Sequence, residues 1–169
     1  MSHAKNKVEW CLRKAEKELN KSNTHKGLIK INPNLEKARD HIKKADHYLS
    51  ATIHLKKGNF SDITASTLFY AVYHCLLAIA AKFGYESRNQ ECTFALISTL
   101  IEDKKVNFDK ALLDKISALD EEEIKEQTTL ELREHYQYGT SLVLEEDLYD
   151  EQLELAKEII SKTKEIIEE

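Results

Sequence analysis

The stretch DITASTLFYAVYHCLLAIAAKFG, residues 62–84, decides the fold class of this sequence. Its apolar residues recur at the spacing of a helix that buries one face, and a second set widens that face around the helix. The two sets are Phe69, Tyr73, Leu76 and Ala80, and Leu68, Val72, Ile79 and Phe83. A helix that is apolar nearly all round belongs at the centre of a protein, so we expect Phe69, Tyr73 and Leu76 to be largely buried.

The composition extends this prediction to the whole chain. A chain of 169 residues that is 41% hydrophobic can bury the core of one domain. Four Gly and one Pro are too few for the turns of a sandwich or barrel, whereas the favourable helix formers Ala, Leu, Ile, Glu and Lys are abundant. The sequence therefore predicts an all-α fold, with residues 1–169 in a single domain.

Periodicity and chain breaks predict an antiparallel bundle of about five to six helices. A first helix over residues 5–20 belongs to an N-terminal helical extension, residues 1–24, and irregular chain follows to about residue 30. Pro33 precedes a second helix, which ends near Gly58 and has Ala38, Ile42, Ala45, Leu49 and Ile53 on its apolar face. After the central helix come a short helix over residues 91–103, a fifth from Asp109 with a break or kink before residues 120–123, and a last one over residues 145–168.

Charge is distributed unevenly along the chain. Residues 1–58 contain 14 Lys and Arg against 6 Asp and Glu, and residues 117–169 contain 5 against 17. This asymmetry is compatible with a basic nucleic-acid surface, but it can equally make the first and last helices of a bundle attract each other. We favour the second interpretation.

The cysteines and the hydropathy pattern both suggest a cytoplasmic protein. Cys11, Cys75 and Cys92 are odd in number and form no CxxC pair, which fits a reducing compartment and buried unpaired thiols. No apolar run has the length expected of a membrane span, and the first residues lack the apolar core of a signal peptide. We therefore predict a cytoplasmic location and no membrane association.

The usual signatures of metal, nucleotide and hydrolase chemistry are absent from the sequence. It contains no Glu-x-x-His pair, no HExxH, no zinc-like cluster, no GxGxxG or P-loop and no GxSxG. Cys75 follows His74 within a helix, where neighbouring side chains point about 100° apart and cannot act as a nucleophile and its base. We therefore predict no metal and no cofactor.

Two segments resemble the HEPN family, named for higher eukaryote and prokaryote nucleotide-binding. The segment ADHYLSATIHLKKGNFSDITASTLFYAVYHCLLAIAAKFGYESRNQECTFALI is similar to the helix, Gly turn and aromatic central helix of that family. The tail LREHYQYGTSLVLEEDLYDEQLELAKEII is similar to its Arg- and Tyr-containing turn and closing helix. The resemblance covers roughly residues 25–167, and the matching positions are Tyr70, Ala71, Tyr73, His74, Gly84, Arg133, Tyr138 and Gly139.

The resemblance implies a helical bundle that is usually dimeric and is found alone or beside a small nucleotidyltransferase in toxin–antitoxin pairs. Many HEPN proteins are metal-independent RNases in which an Arg is followed, after four to six residues, by a His. None of the arginines here, Arg13, Arg39, Arg88 and Arg133, has a His at that distance. Gln90 and Gln137 stand where relatives often have a His and an Asp, and glutamine does not exchange protons near neutral pH. The enzyme question stays open, with the balance against catalysis.

The stretch LREHYQYGT, residues 132–140, supplies the remaining candidate site. Arg133, His135 and Tyr138, together with Tyr70, His74 and Arg88, could form a polar pocket for a phosphate or a base. The structural alternative, which we favour, is that Arg133 pairs with an acidic residue while the Tyr hydroxyls tie the turn.

Three functional hypotheses follow. The first is a non-catalytic or degenerate HEPN protein, homodimeric, that binds a nucleotidyltransferase, a nucleotide or RNA. The second is an RNase with an atypical Arg133 and His135 site. The third is a helical scaffold without a ligand.

Overall fold

The fold is mostly helical, with one small sheet. The computed structural model describes residues 2–117 and 127–169, of which 74% are in seven helices. In chain order the elements are α1 (His3–Ser22), β1 (Leu28–Lys30), α2 (Leu35–Lys57), α3 (Ser61–Lys82), β2 (Tyr85–Ser87), α4 (Gln90–Glu102), α5 (Lys110–Ile116), α6 (Thr129–Tyr138) and α7 (Glu146–Glu168). The prediction of an all-α protein is confirmed at this level.

Helix α3 occupies the centre. It packs against α2, α4, α6 and α7, and most of its residues are buried. Phe69 and Leu76 are fully buried as predicted. Tyr73 is only partly buried, and its hydroxyl group hydrogen-bonds to Thr93 at 3.0 Å. Small residues such as Ala71 and Ala78 let the neighbouring helices approach closely.

Helices α2 and α3 form an antiparallel hairpin around the short turn of residues 58–60. The hydroxyl groups of Thr52 and Thr67 lie 2.6 Å apart near the turn, and His41 meets His74 farther from it. We predicted Ile53 on the buried face of α2, but Ile53 is at the surface and Thr52 is buried instead. Its hydroxyl group can enter the interior because it donates to the Tyr48 carbonyl as well as contacting Thr67.

Helix α7 runs antiparallel to α2, and therefore parallel to α3. Arg39 near the start of α2 pairs with Glu168 at 2.9 Å, and Lys56 near its end pairs with Glu146 at 2.5 Å. The basic and acidic parts of the chain do attract each other, but it is the second helix, not the first, that meets the last.

Helix α1 packs antiparallel on α4, and a disulfide joins them. Val8, Cys11 and Ala15 are buried, and Cys11 is bonded to Cys92, with Cα atoms 6.0 Å apart. The prediction of unpaired cysteines is wrong for these two, because they are 81 positions apart and only helix packing brings them together. Cys75 remains a free thiol and is buried. A disulfide is typical of an oxidising compartment, so the cysteines no longer argue for a reducing one.

The two strands were not predicted. β1 and β2 pair antiparallel, with Leu28 opposite Ser87 and Lys30 opposite Tyr85. The pairing requires Gly84, whose φ is +80° and where a Cβ would approach the Ile31 carbonyl oxygen to 2.9 Å. The segment predicted as irregular thus contains a strand of only three residues.

The predicted fifth helix corresponds to α5, which ends at Ile116, and the expected break before residues 120–123 lies outside the described residues. The described chain then begins a separate helix, α6. Its start is fixed by a capping box in which Thr128 and Glu131 each bond the other's backbone N–H.

The expectation that no apolar run has the length of a membrane span does not hold for helix α3, which is the one helix, among residues 2–117 and 127–169, with the length and hydropathy to cross a membrane. Of the residues in its most apolar window, 61% are buried inside the fold.

Candidate functional site

Arg133 lies on the inner face of α6. Its side chain is only 9% exposed, and the guanidinium carbon sits 4.7 Å from the centre of the Phe69 ring. One terminal nitrogen contacts Glu134 at 3.4 Å, and Nε has no hydrogen-bond partner among the described residues. In this position the guanidinium is a packing group against α3, with little surface left for a phosphate.

The rest of LREHYQYGT lies at the surface. His135 is exposed and meets the Tyr136 ring edge-on, with centroids 5.1 Å apart, and Tyr138 is exposed at the end of α6. Gly139 ends the helix by donating its N–H to the His135 carbonyl, and a Cβ there would lie 2.5 Å from that oxygen. The glycine is therefore needed for the turn, independently of any ligand.

Tyr70 and His74 belong to an aromatic cluster between α2 and α3. His74 Nδ1 lies 3.0 Å from His41 Nδ1, so one ring donates and the other accepts. The Tyr48 ring stacks on both predicted residues, 5.5 Å from Tyr70 and 5.6 Å from His74 between centroids.

The histidine pair is held neutral by its surroundings. Burial, together with the neighbouring His41 and Lys44, lowers the pKa of His74 to about 4. Burial and the positive charge of Lys37 also lower the pKa of His41. Two neutral imidazoles can share one proton in a hydrogen bond, which agrees with the short contact between them.

Arg88 belongs to a charge cluster centred on Glu86, in β2. Glu86 accepts hydrogen bonds from Lys37 at 2.8 Å and from Arg88 at 3.0 Å, and its carboxylate lies 3.4 Å from His25. The hydrogen bond from Lys37 is the main reason why the pKa of Glu86 falls to about 2, and Arg88 and His25 add to it. The carboxylate is thus ionised at any physiological pH.

A cavity of about 250 Å³ lies between this charge cluster and His41. It is bordered by α2, the end of α3, and β2. The lining residues are Lys37, His41, Leu77, Ala81, Tyr85, Glu86, Ser87 and Arg88.

The six predicted site residues therefore do not form a single pocket. Tyr70 and His74 are neighbours, and Arg88 lines the cavity together with His41, the hydrogen-bond partner of His74. Arg133 is separated from the cavity by its packing on Phe69, and His135 and Tyr138 are on the surface.

A different surface is unusual for its exposed apolar side chains. Phe60, Ile63, Leu142 and Val143 are between 45% and 75% exposed, and we call them the apolar end. Phe60 and Ile63 are within two residues of Ser61, and Leu142 and Val143 are within two residues of Leu144. The Leu144 N–H donates to Ser61 Oγ, which ties the loop before α7 to the start of α3. Contiguous exposed apolar groups of this kind mark contact surfaces.

Several residues of these sites were missed by sequence reasoning. His41 could have been found, because an antiparallel hairpin about the Gly58 turn places it near His74. Lys37 and Glu86 had no such signal, because they meet through the β1–β2 pairing that the sequence did not reveal.

In the part of the chain that the structure describes, no group of three or more His, Cys, Asp or Glu is arranged to hold a metal. No protein-family model matches the sequence, and no curated protein is detectably similar to it.

Proposed function

We propose that the protein is a non-catalytic interaction module, a HEPN-like helical bundle that pairs with a second copy of itself through the apolar end. The observation that carries the proposal is the exposure of Phe60, Ile63, Leu142 and Val143 on two segments that the hydrogen bond from Leu144 to Ser61 joins. Burying such side chains in an interface would contribute roughly 25 cal/mol of free energy for each Å² of apolar surface removed from water.

The charges around the apolar end favour a second copy as the occupant. Lys57 at the end of α2 gives it a basic edge, and Glu145 and Asp147 at the start of α7 give it an acidic edge. None of the three is ion-paired with another described residue. A two-fold axis through the patch would bring the basic edge of one copy against the acidic edge of the other.

The arrangement of Arg133 and His135 supports a non-catalytic role. A phosphate-binding arginine must present its donors to the ligand, whereas this guanidinium is buried on Phe69. His135 is exposed, and the ring that it meets is that of Tyr136. The alternative of an RNase with an atypical Arg and His site therefore has no geometric support in these residues.

A small nucleotidyltransferase is the heterologous partner that the HEPN resemblance implies, and a dimer would leave the rest of the surface free for it. Co-expression with a small nucleotidyltransferase, followed by affinity purification of one component, tests this part separately. Failure to recover a complex would leave the homodimer standing alone.

Light scattering after size exclusion tests the homodimer. We expect a dimer at micromolar concentration for the natural chain and a monomer for the Phe60→Ser/Leu142→Ser variant. Leu35→Ser is the matched control, because Leu35 is also an exposed leucine but lies at the start of α2, away from the apolar end. A monomeric natural chain, or equal dissociation in the control, contradicts the proposal.

An RNA cleavage assay separates the catalytic alternative. We expect no metal-independent cleavage of single-stranded RNA by the natural chain. Cleavage that disappears in His135→Ala, with the circular dichroism spectrum unchanged, would reject the non-catalytic role and establish the RNase.

A further inference from the structure

We propose that the cavity between α2, the end of α3, and β2 is a binding site for a small phosphate-type oxyanion. When no oxyanion is bound, the Glu86 carboxylate pairs with the cations that would bind it. The proposal does not depend on the apolar end, which lies at the opposite end of the α2–α3 hairpin. Either proposal can therefore fail without the other.

The first step is the arrangement of donors around Glu86. Lys37 reaches one carboxylate oxygen, and Arg88 reaches the other through Nε and a terminal nitrogen. Lys37 comes from the first turn of α2 and Arg88 from the residue after β2, so two elements converge on one carboxylate. Both cations also line the cavity.

The second step is the balance of charge. Two permanent cations, Lys37 and Arg88, face one carboxylate, which leaves an excess of one positive charge beside the cavity. On the far wall, burial is the main reason for the lowered pKa of His41. The charge of Lys37 lowers this pKa further, whereas Asp40 and Glu86 raise it. An anion entering the cavity would be attracted by a potential that Glu86 only partly cancels.

The third step is the unused hydrogen-bonding capacity. A guanidinium has five N–H donors and an ammonium three, and the Glu86 contacts use only part of them. A tetrahedral oxyanion can accept from the planar fork of Arg88 and from Lys37 together, which is how Arg and Lys recognise phosphate.

The fourth step is size. The cavity of about 250 Å³ is smaller than the roughly 300 to 1,000 Å³ of pockets that enclose drug-sized ligands. Free phosphate or a phosphomonoester group fits this volume, whereas a whole nucleotide would have to leave its base outside. The ligand class is therefore a small phosphate dianion, free or at the end of a larger molecule.

Isothermal titration calorimetry with inorganic phosphate is the primary test. We expect saturable binding to the natural chain that weakens as salt is added, and loss of binding in Arg88→Ala and in Lys37→Ala. Lys43→Ala is the matched control, because Lys43 lies on the same helix, is paired with Asp40 and is far more exposed. It should bind phosphate as the natural chain does.

The decisive variant is Glu86→Gln. Removing the internal carboxylate should tighten phosphate binding at least about tenfold, equivalent to about 1.4 kcal/mol, because the competing negative charge is gone. A purely structural ion cluster predicts the opposite: a less stable protein with no gain in affinity. Thermal melts with and without phosphate report both quantities, so a destabilised variant still gives a result.

Two further ligands distinguish the source of the phosphate. A nucleoside monophosphate that binds more tightly than phosphate indicates a terminal phosphate on a nucleotide, and equal affinities indicate free phosphate. Short single-stranded RNA without a terminal phosphate should not compete. Competition by that RNA, or absence of saturable phosphate binding in both the natural chain and Glu86→Gln, would overturn the proposal.

Discussion

At the scale of single residues, burial decides what a charged side chain can do. The sequence singled out Arg133 as a candidate ligand group, and its residue type and position in the turn justified that choice. Whether a guanidinium faces a cleft or an aromatic ring depends on the packing of α6 against α3, which a motif does not encode. Arg133 lies over Phe69, which supports a structural role, although the acidic partner that we expected is only Glu134 at 3.4 Å. Among the described residues, no hydrogen bond from the Tyr136 or Tyr138 hydroxyl group ties the turn.

Replacing Arg133 tests its structural role. We expect Arg133→Ala to lower the free energy of unfolding by about 2 kcal/mol, through loss of a desolvated cation–π contact and of the packing of the side-chain stem. Arg133→Met keeps most of the stem and removes a partly unsatisfied charge, so it should cost much less. Urea denaturation of the two variants gives the comparison. Equal losses would show that charge, and not packing, is what α6 needs.

His74 predicts a pH dependence of stability. Its folded pKa of about 4 lies below its usual value of 6.5, so between these values the unfolded chain binds more protons than the folded one. The free energy of unfolding should therefore fall as the pH drops from 6.5 toward 4. The lowered pKa of His41 acts in the same direction.

Denaturant melts at pH 7, 6 and 5 measure this effect. This pH interval avoids the contribution of Glu86. The pKa of Glu86 is lowered in the folded protein, so its contribution to stability is lost only as the pH falls below 4.5, the usual pKa of a glutamate. His74→Gln should flatten the profile, while His47→Gln, at an exposed position of α2, should leave the slope unchanged. A steep profile that survives in His74→Gln would assign the effect to other groups.

At the scale of secondary structure, the longest and most apolar element was the most predictable. Helix α3 agrees with its predicted range because its apolar pattern is strong and only one arrangement buries it. The strands escaped prediction because three residues carry too little periodicity to be recognised, and their pairing depends on Gly84 and on a contact between distant segments. The cavity with Lys37 and Glu86 could not be predicted for the same reason.

Leu76 tests the central position of α3. Its side chain is fully buried, so Leu76→Ala should lower the free energy of unfolding by about 2 to 5 kcal/mol, through lost transfer energy and the cavity left behind. Leu35→Ala, at a surface position of α2, should cost far less. Denaturant melts compare the two, and a loss below about 1 kcal/mol for Leu76→Ala would mean that the helix is peripheral.

The disulfide predicts a redox dependence of stability. Because Cys11 and Cys92 close a loop of 81 positions, reduction should lower the free energy of unfolding by roughly 2 to 4 kcal/mol. The Cys11→Ala/Cys92→Ala variant should match the reduced natural chain and show no response to dithiothreitol. Melts that reductant leaves unchanged would contradict the cross-link.

Free Cys75 should not react quickly with thiol reagents, because burial raises the pKa of its thiol to about 12.

At the scale of the whole molecule, the charge asymmetry had the correct physical meaning but the wrong helix pair. The acidic last helix does meet basic residues, Arg39 and Lys56, but these are in α2. Lysines of α1 pair instead with α4 and the residue after it, at Glu91 and Asp103. Net charge per segment can predict attraction, whereas the choice of partner follows from the order in which helices pack.

That packing bears on the domain organisation. The sequence suggested that residues 1–24 form an extension of a single domain, and an extension could be removed at little cost. In the structure, Val8, Cys11 and Ala15 of α1 are buried, and Gly27 before β1 lies against Ala15. Removing α1 would uncover the face of α4 that it covers, so we expect α1 to unfold together with the rest of the domain.

Deletion of residues 1–24 tests this expectation. The truncated chain should show a lower denaturation midpoint than the natural chain, or fail to fold, because apolar surface on α4 becomes exposed. The full-length Cys11→Ala/Cys92→Ala variant is the control that separates packing from cross-linking. If packing matters, the deletion must be less stable than this control. A truncated protein as stable as the control would show that α1 is an appendage held mainly by its disulfide.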